Sequence, residues 1–398
     1  MKYRIVATTL ICLLFTACDN NSSDNNNSPA NNQTTPRLSA GPHLGFIVGF
    51  DVLDADMTSL AETLSTEAIS AGKRTARIQL DWAELEPQPG FFNQEELTER
   101  LVDAKKQQQS VFVTLSTLDT GELTIPADLM AADGKTAAAG LELDGPIINR
   151  RMREFLAWLI PELAAYNIWG LSLANEPSTN IGAIAEQEII GFLTQSADYA
   201  RTLDEYLAIT VTLASTTDPA LDAFTSEIIR HLDIGLFNYY CLAFENLQTT
   251  DKARWSDDLD LMINAAEGRD VFFQELGCPA GYSDLGVSAS TPAESIGATP
   301  QIQREFFQYM FDHIISREQL RGASVFQLFD WSPELADSFT QFLINPDEPG
   351  SELTAAALRE WLGTVGMCRW SNGNCRPVWS VYLDAVSRAA SVRSSLIE

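Results

Sequence analysis

One stretch of the chain, residues 168–177, reads IWGLSLANEP and decides how the rest is interpreted. Its first seven residues are apolar apart from one serine, which is typical of a strand buried on both faces. Asn175-Glu176-Pro177 follows at once. Apolar side chains recur at spacings of three and four over Met152–Leu163, which predicts a helix before the strand. The stretch therefore predicts one strand of a parallel sheet that is covered by helices.

The same alternation of strand and helix patterns continues in both directions. Eight such units indicate an α/β protein with a (β/α)8 TIM barrel. An open doubly wound sheet is the competing architecture, but residues 49–52 read GFDV where its Gly-rich phosphate loop would follow the first strand. The predicted strands are Gly45–Phe50, Thr75–Leu80, Ser110–Leu115, Ile168–Ala174, Leu207–Leu213, Ile234–Tyr239, Asp270–Gln274 and Ala323–Phe329.

One barrel accounts for residues 41–398, since such barrels often run to about 250 residues or more as a single unit. The irregular stretch Ser116–Pro146 is interpreted as an elaborated loop after the third strand. Pro377–Arg393 is interpreted as a final helix packed outside the barrel. We therefore expect a single catalytic or binding domain.

The first forty residues predict an export signal and a tether. Lys2 and Arg4 precede an apolar run, Ile5–Phe15, which is shorter than the roughly 20 residues that span a bilayer. Small residues before Cys18 resemble a bacterial lipobox. We predict a lipoprotein-type signal peptide over residues 1–17, lipidation of Cys18, and an Asn/Ser-rich disordered tether over residues 18–40. A plain secretory signal is the alternative. The expected location is the periplasmic or cell-surface face of a bacterial membrane, held by the lipid anchor alone.

Acidic residues outnumber basic ones by 54 to 26, which gives a net charge of −28. A protein that binds nucleic acid or another polyanion presents a basic surface. This acidic chain is therefore not expected to bind polyanions, and neutral ligands remain possible. With three His and no C-x-x-C spacing, the sequence predicts no metal site, and we expect no cofactor. We also expect a monomer.

Four cysteines lie beyond Cys18. Cys368 and Cys375 flank the turn-rich residues RWSNGN, and export makes disulfides chemically allowed, so a local disulfide is predicted there. Cys241 and Cys278 follow the sixth and seventh predicted strands. The sequence fits a bridge across the barrel mouth or two buried thiols equally well.

Two glutamates follow predicted strands directly. Glu176 ends the fourth strand, Glu275 ends the seventh, and 99 residues separate them, which is three units of 33. Chemistry in such barrels lies at the carboxyl ends of the strands, which we call the barrel mouth. Two carboxylates facing across a cleft are what hydrolysis of a glycosidic bond requires. Arg77, inside the second strand, is costly unless paired, and we expect it to supply the positive charge that keeps one carboxylate ionised.

These residues resemble the retaining glycoside hydrolases of clan A, which share a (β/α)8 barrel. In that clan Asn-Glu-Pro commonly ends strand four, and Glu-x-Gly often ends strand seven. Both patterns stand here at matching strands, as Asn175-Glu176-Pro177 and Glu275-Leu276-Gly277. Residues 82–92 (WAELEPQPGFF), 237–240 (FNYY) and 329–331 (FDW) resemble the clan's sequences after strands two, six and eight.

The resemblance implies a role for each matching residue. Glu176 would be the acid/base and Glu275 the nucleophile. The substrate-binding set would comprise Asn175 on the sugar 2-hydroxyl, Tyr240 and Arg77 beside the nucleophile, Trp331 as a stacking platform, and Trp82. Several families of the clan place a His after strand three and another near strand six, where Ser116-Thr117 and Tyr240 stand here. The specific family is therefore left unassigned.

We interpret the protein as a retaining glycosidase that acts on the β-linked sugars of an oligo- or polysaccharide. A catalytically silent glycan-binding lipoprotein with the same barrel is the alternative from another class. A metal-dependent sugar isomerase is a third reading, and the scarcity of His argues against it.

Overall fold

The structure is a computed structural model that describes residues 41–49, 53–214, 219–243, 246–285, 295–344 and 351–396. Eight parallel strands form its centre, and all eight predicted strands are confirmed. They are β1 (His43–Phe46), β2 (Thr75–Asp81), β3 (Ser110–Ser116), β4 (Ile168–Asn175), β5 (Ala208–Ala214), β6 (Gly235–Tyr240), β7 (Val271–Gly277) and β8 (Leu320–Val325).

The strands form a nearly closed barrel. Consecutive strands from β2 to β8 pair in parallel, and β8 pairs in parallel with β1. Among the described residues no ladder joins β1 to β2, although a Cβ on Gly45 would lie 2.8 Å from the carbonyl oxygen of Thr75. The (β/α)8 prediction is confirmed, and the doubly wound alternative is wrong.

The first and eighth strands differ from their predicted limits. β8 ends at Val325 because the next residues leave the ladder: the amide of Leu328 donates to the carbonyl of Ile47, and the carbonyl of Leu328 accepts from the amide of Cys368. β1 ends at Phe46, and the predicted end of that strand, Phe50, lies outside the described residues.

Helices surround the barrel, and their ends follow from local sequence. The helix that begins at Pro300 is an example. The side chain of Thr299 caps its start by accepting a hydrogen bond from the amide of Ile302 at 3.1 Å, and apolar residues between Phe306 and Ile314 are buried. The helices are α1 (Ala55–Ala71), α2 (Trp82–Leu85), α3 (Gln94–Lys106), α4 (Pro146–Leu163), α5 (Glu186–Leu203), α6 (Pro219–Ile229), α7 (Lys252–Ala265), α8 (Pro300–Ser316), α9 (Pro333–Leu343), α10 (Ser351–Leu362) and α11 (Pro377–Ser395).

The predicted C-terminal helix is confirmed as α11, which covers β1. The rings of Trp379 and Tyr382 pack on Phe46 with centroids 6.0 and 5.6 Å away. The guanidinium of Arg393 donates to the carbonyl oxygens of Pro42 and Gly72. The last helix therefore holds β1 and the end of α1 together.

The described residues contain two disulfide bonds. Cys368 is bonded to Cys375, as expected. Cys241 is bonded to Cys278, which decides the question that the sequence left open. The second bridge links the residues that follow β6 and β7, so it fixes these two strand ends at the barrel mouth.

The signal peptide, the lipid site Cys18 and the tether lie outside the described residues and stay predictions. Within the described part, no helix combines the length and the apolar character that crossing a membrane requires.

Candidate active site

Glu275 reaches the barrel mouth because β7 carries a bulge. Phe273 pairs with Phe237 of β6, but the next pair is Glu275 with Asn238. Two residues of β7 therefore stand opposite one residue of β6. Gln274 already points inward, where it bonds to side chains of other strands. Regular alternation would turn the following side chain outward, whereas a bulge re-aims it. The bulge therefore brings two consecutive polar side chains into the barrel.

The carboxylate of Glu275 is fully buried between a phenol and a guanidinium. The hydroxyl of Tyr240 donates to Oε2 at 2.6 Å, and Nη2 of Arg77 lies 3.5 Å from Oε1. Burial, and then the charge of Glu275, raise the pKa of Tyr240 well above its usual value, so the phenol keeps its proton. A fixed donor and a cation are what an ionised nucleophilic carboxylate needs.

Gly277 makes the contact between Tyr240 and Glu275 possible. A Cβ at this position would lie 2.6 Å from two ring carbons of Tyr240. Any larger residue would push the ring away from β7 and lengthen its hydrogen bond. This gives a physical reason for the glycine in the Glu-x-Gly pattern.

Glu176 lies across the mouth, just after a bulge in β4. Ser172 pairs with Thr210 of β5 but Asn175 pairs with Thr212, so β4 gains one residue there. The backbone of Glu176 has φ 48° and ψ 49°, a left-handed conformation that costs a non-glycine residue roughly 1–3 kcal/mol. Its Oε1 accepts from Nδ2 of Asn238 at 2.8 Å. Glu176 therefore has a neutral amide donor, where Glu275 has a cation.

A layer of polar side chains connects the two glutamates beneath the mouth. Oε1 of Gln274 accepts from the hydroxyls of Thr114 and Thr212. Nε2 of Gln274 donates to Oδ1 of Asn175 at 3.0 Å, and this oxygen also lies 3.2 Å from Nδ2 of Asn238. Neighbouring strands thus fix the amide of Asn175, the residue before Glu176.

Asp119 is a site residue that the sequence analysis missed. It lies three residues after β3, within the stretch interpreted only as a loop, and its side chain is buried. Nδ2 of Asn175 donates to its Oδ1 at 2.9 Å, while Ser116 and Gln79 donate to its Oδ2 at 2.9 and 3.1 Å. Asp119 therefore holds Asn175 from the side opposite Gln274.

Asp119 predicts a pH-dependent stability. Burial raises its pKa from 3.8 to about 7. Because the folded state binds this proton more tightly than the unfolded chain, the stabilisation is complete below about pH 4 and is lost as the pH rises through about 7. We expect Asp119→Asn, which cannot ionise, to show a smaller fall in Tm between pH 4.5 and pH 7.5 than the wild type. Thermal unfolding at the two pH values measures this.

The exposed Asp198 provides the control. Asp198→Asn should show the same fall in Tm as the wild type, because this side chain lies on the outer surface of α5. If Asp119→Asn and Asp198→Asn behave alike, then Asp119 is ionised in both states at pH 4.5 and the assignment of its proton is wrong.

Arg77 predicts a shift in the pH dependence of activity. Its guanidinium is the positive group beside Glu275, and its Nε donates to the hydroxyl of Thr114 at 3.3 Å. Without this charge the buried carboxylate ionises only at higher pH. We expect Arg77→Met to move the acidic limb of the kcat/KM profile upward by about 1 pH unit or more. Arg77→Lys keeps the charge and should leave the limb near its wild-type position; an unmoved limb in Arg77→Met would make Arg77 purely structural.

The two predicted tryptophans both pack among buried apolar side chains. Trp82 is fully buried in α2, where its ring packs on Phe155 and its indole N–H donates to Glu86 at 2.8 Å. It belongs to the core between α2 and α4, and its expected contact with substrate stays a prediction. Trp331 follows β8, packs on Phe339, and lines a cavity beside the mouth. Its role as a platform stays a prediction.

The other predicted residues lie together. Asn175, Glu176, Arg77, Tyr240 and Glu275 belong to one buried network, and their catalytic roles stay predictions. Asn238 was part of a quoted motif but received no role, although it contacts both Asn175 and Glu176. In the part of the chain that the structure describes, no three His, Cys, Asp or Glu side chains form a group suited to a metal ion.

Comparison by sequence finds no relative: no protein-family model matches the chain, and no characterised protein matches it. Solved structures do match. A GH5_18 protein from Bifidobacterium longum subsp. longum ATCC 55813 aligns with a TM-score of 0.61 and 17% identity, over 88% of this chain and 80% of that one. A GH5_18 variant from Streptomyces cattleya, in complex with Manb1-4GlcNAc, aligns with a TM-score of 0.60 and 16% identity, over 87% and 80%.

A third match is the exo-beta-1,4-mannosidase Op5Man5 from Opitutaceae bacterium strain TAV5. Its TM-score is 0.59 at 12% identity, over 91% of this chain and 62% of that one. At these identities the similarity concerns the fold. The chain therefore shares the (β/α)8 fold of these glycoside hydrolases, as the resemblance to clan A implies.

Proposed function

We propose that this protein is a retaining β-glycosidase that cleaves an oligo- or polysaccharide by double displacement. One observation carries the proposal: two buried carboxylates end strands β4 and β7, and their surroundings differ. Glu275 has a guanidinium and a phenol beside it, whereas Glu176 accepts a hydrogen bond from the neutral amide of Asn238. An unequal pair of this kind divides the roles of nucleophile and acid.

The first step forms a glycosyl-enzyme. A carboxylate oxygen of Glu275 attacks the anomeric carbon, the bond to the leaving oxygen breaks, and Glu176 transfers its proton to that oxygen. Tyr240 and Arg77 hold the attacking carboxylate in its orientation. In the second step Glu176, now ionised, takes a proton from water, and the hydroxide released attacks the anomeric carbon. The bond to Glu275 breaks, and the sugar leaves with its original configuration.

Asn175 is suited to orient the sugar between the two glutamates. Its oxygen is occupied by Gln274 and Asn238, and one hydrogen of its amide bonds to Asp119. Donors fixed in this way lose little entropy when a substrate binds. We infer that the amide of Asn175 faces a hydroxyl of the sugar, as the clan A resemblance implies for the 2-hydroxyl.

The substrate is inferred from charge and from the fold neighbours. The net charge of −28 favours an uncharged glycan over an anionic one. The Streptomyces cattleya neighbour holds Manb1-4GlcNAc and the Opitutaceae neighbour is named an exo-beta-1,4-mannosidase, so β-mannosides are the first candidates.

A panel of p-nitrophenyl β-glycosides, with the mannoside first, tests the proposal. Hydrolysis should release a product whose anomeric proton in the first minutes of an NMR time course is that of the β-anomer. Product analysis on a library of plant and algal β-glycans then defines the substrate. An α-anomer as first product would contradict the retaining mechanism, and glycan binding without any hydrolysis would favour the non-catalytic alternative.

A further inference from the structure

A cavity of about 220 Å³ lies beside the barrel mouth, and we call it the accessory pocket. Three aromatic side chains, Tyr282, Trp331 and Trp370, line it. The remaining lining residues are Asp330, Pro333, Ala336, Asp337, Arg359, Gly363 and Ser371. Of the residues that the structure describes, neither Glu176 nor Glu275 lines it. The pocket is therefore a feature that the proposed reaction leaves unexplained.

The carboxylates of the accessory pocket are already neutralised by the protein. Nε of Arg359 lies 2.5 Å from Oδ1 of Asp337 at the exposed rim. On the buried side, two nitrogens of Arg376 donate to the two oxygens of Asp330 at 2.8 and 2.7 Å. With each carboxylate paired to a guanidinium, the pocket offers no net charge to an ionic ligand. It does offer polar edges on Asp337, Arg359 and Ser371.

The walls of the accessory pocket are fixed to one another. Trp370 lies inside the short loop closed by the Cys368–Cys375 disulfide. Asp284, in the segment after β7, accepts from both Arg369 and Arg376 at 2.7–2.8 Å. The same Arg376 holds Asp330, after β8, so one buried arginine joins three segments. A pocket built this rigidly loses little entropy when it binds.

The position of the accessory pocket relates it to the catalytic residues. Tyr282 belongs to the segment that follows β7, the strand of Glu275, and Trp331 belongs to the segment that follows β8. Both segments start at the mouth. A chain-like ligand that ran from between Glu176 and Glu275 over one of these loops would place a further unit at the pocket.

Size, aromatic lining and paired charge together define the ligand. Pockets for drug-sized ligands measure roughly 300–1,000 Å³, so this smaller one suits a single ring. Aromatic faces bind the apolar faces of sugar rings, and neutral polar edges bind their hydroxyls. We propose that the accessory pocket binds one uncharged sugar ring of the glycan substrate, outside the site where the bond is cut. This inference rests on the proposed glycosidase function.

The test compares a long and a short substrate. We expect Trp370→Ala to lower kcat/KM on β-1,4-mannohexaose by about tenfold, the value of one aromatic contact, and to change kcat/KM on p-nitrophenyl β-mannoside by less than about twofold. Trp370→Phe keeps a ring and should recover most of the loss. Trp158→Ala, which removes a half-buried tryptophan from α4, is the matched control and should treat both substrates alike.

A binding measurement separates this inference from the proposed function. Calorimetry in the Glu275→Gln background, with β-1,4-mannohexaose and β-1,4-glucohexaose as probes, needs no turnover. Weaker binding of either probe when Trp370→Ala is added supports the accessory pocket even if no glycoside is hydrolysed. The inference is overturned if neither probe binds, if Trp370→Ala leaves binding unchanged, or if it impairs the aryl mannoside as much as the hexasaccharide.

Discussion

Glu275→Gln should abolish turnover of aryl β-glycosides, with a loss in kcat of at least about 10⁴-fold, as expected when a covalent nucleophile is removed. Glutamine has the same shape, and its carbonyl oxygen still accepts the hydrogen bond from Tyr240. The fold should therefore survive while the negative charge beside Arg77 is lost. Steady-state kinetics and thermal unfolding of the same preparation separate these two effects.

A covalent trap gives this prediction a second readout. A 2-deoxy-2-fluoro β-glycoside should label the wild-type protein, and peptide mass spectrometry should place the sugar on Glu275. Glu84→Gln, a partly exposed carboxylate in α2, is the matched control and should keep full activity. Full activity in Glu275→Gln, or a label on another residue, rules out Glu275 as the nucleophile.

Glu176→Ala should affect substrates according to their leaving groups. A poor leaving group needs a proton in the transition state, and loss of a general acid costs about 10²–10⁴-fold. A dinitrophenyl glycoside needs no proton to leave, so its glycosyl-enzyme still forms but waits for a base. We expect this intermediate to accumulate, and added azide to restore turnover with a β-glycosyl azide as product.

The azide product is the decisive measurement for Glu176. Azide needs no general base and fits the space that the missing carboxylate leaves. Glu154→Ala, an exposed position on α4, should show normal rates and no effect of azide. If Glu176→Ala loses the same factor on both leaving groups and azide has no effect, then Glu176 does not act as the acid/base.

The barrel was predictable because each strand is a short apolar run between helical patterns. The two glutamates were predictable because the carboxyl ends of parallel strands meet at one mouth. The inward orientation of Glu275 did not follow from regular strand geometry, because alternation along β7 would turn Glu275 to the face opposite Gln274. Only pairing with β6 and β8 reveals the bulge, and pairing is a property of the folded chain.

The residues around the glutamates were harder to find. Asp119 lies outside every strand that the sequence predicts, and its contacts to Asn175, Ser116 and Gln79 come from three separate strands. A search for polar residues at every strand end would have identified more of these neighbours, Asn238 among them. The packing of Trp82 on Phe155 and its hydrogen bond to Glu86 could not be predicted either, because they depend on how α2 and α4 meet in the folded chain.

The contact between Arg393 and the start of the barrel has a consequence for the order of folding. It joins residues 351 positions apart, from Pro42 to Arg393. Closing so long a loop costs entropy, and distant pairings of this kind slow folding. Until α11 docks, β1 lacks this anchor, and the seam with β2, where no ladder forms among the described residues, presents strand edges on which another chain can pair. We therefore expect a partly folded molecule to be exposed to aggregation at the seam between β1 and β2.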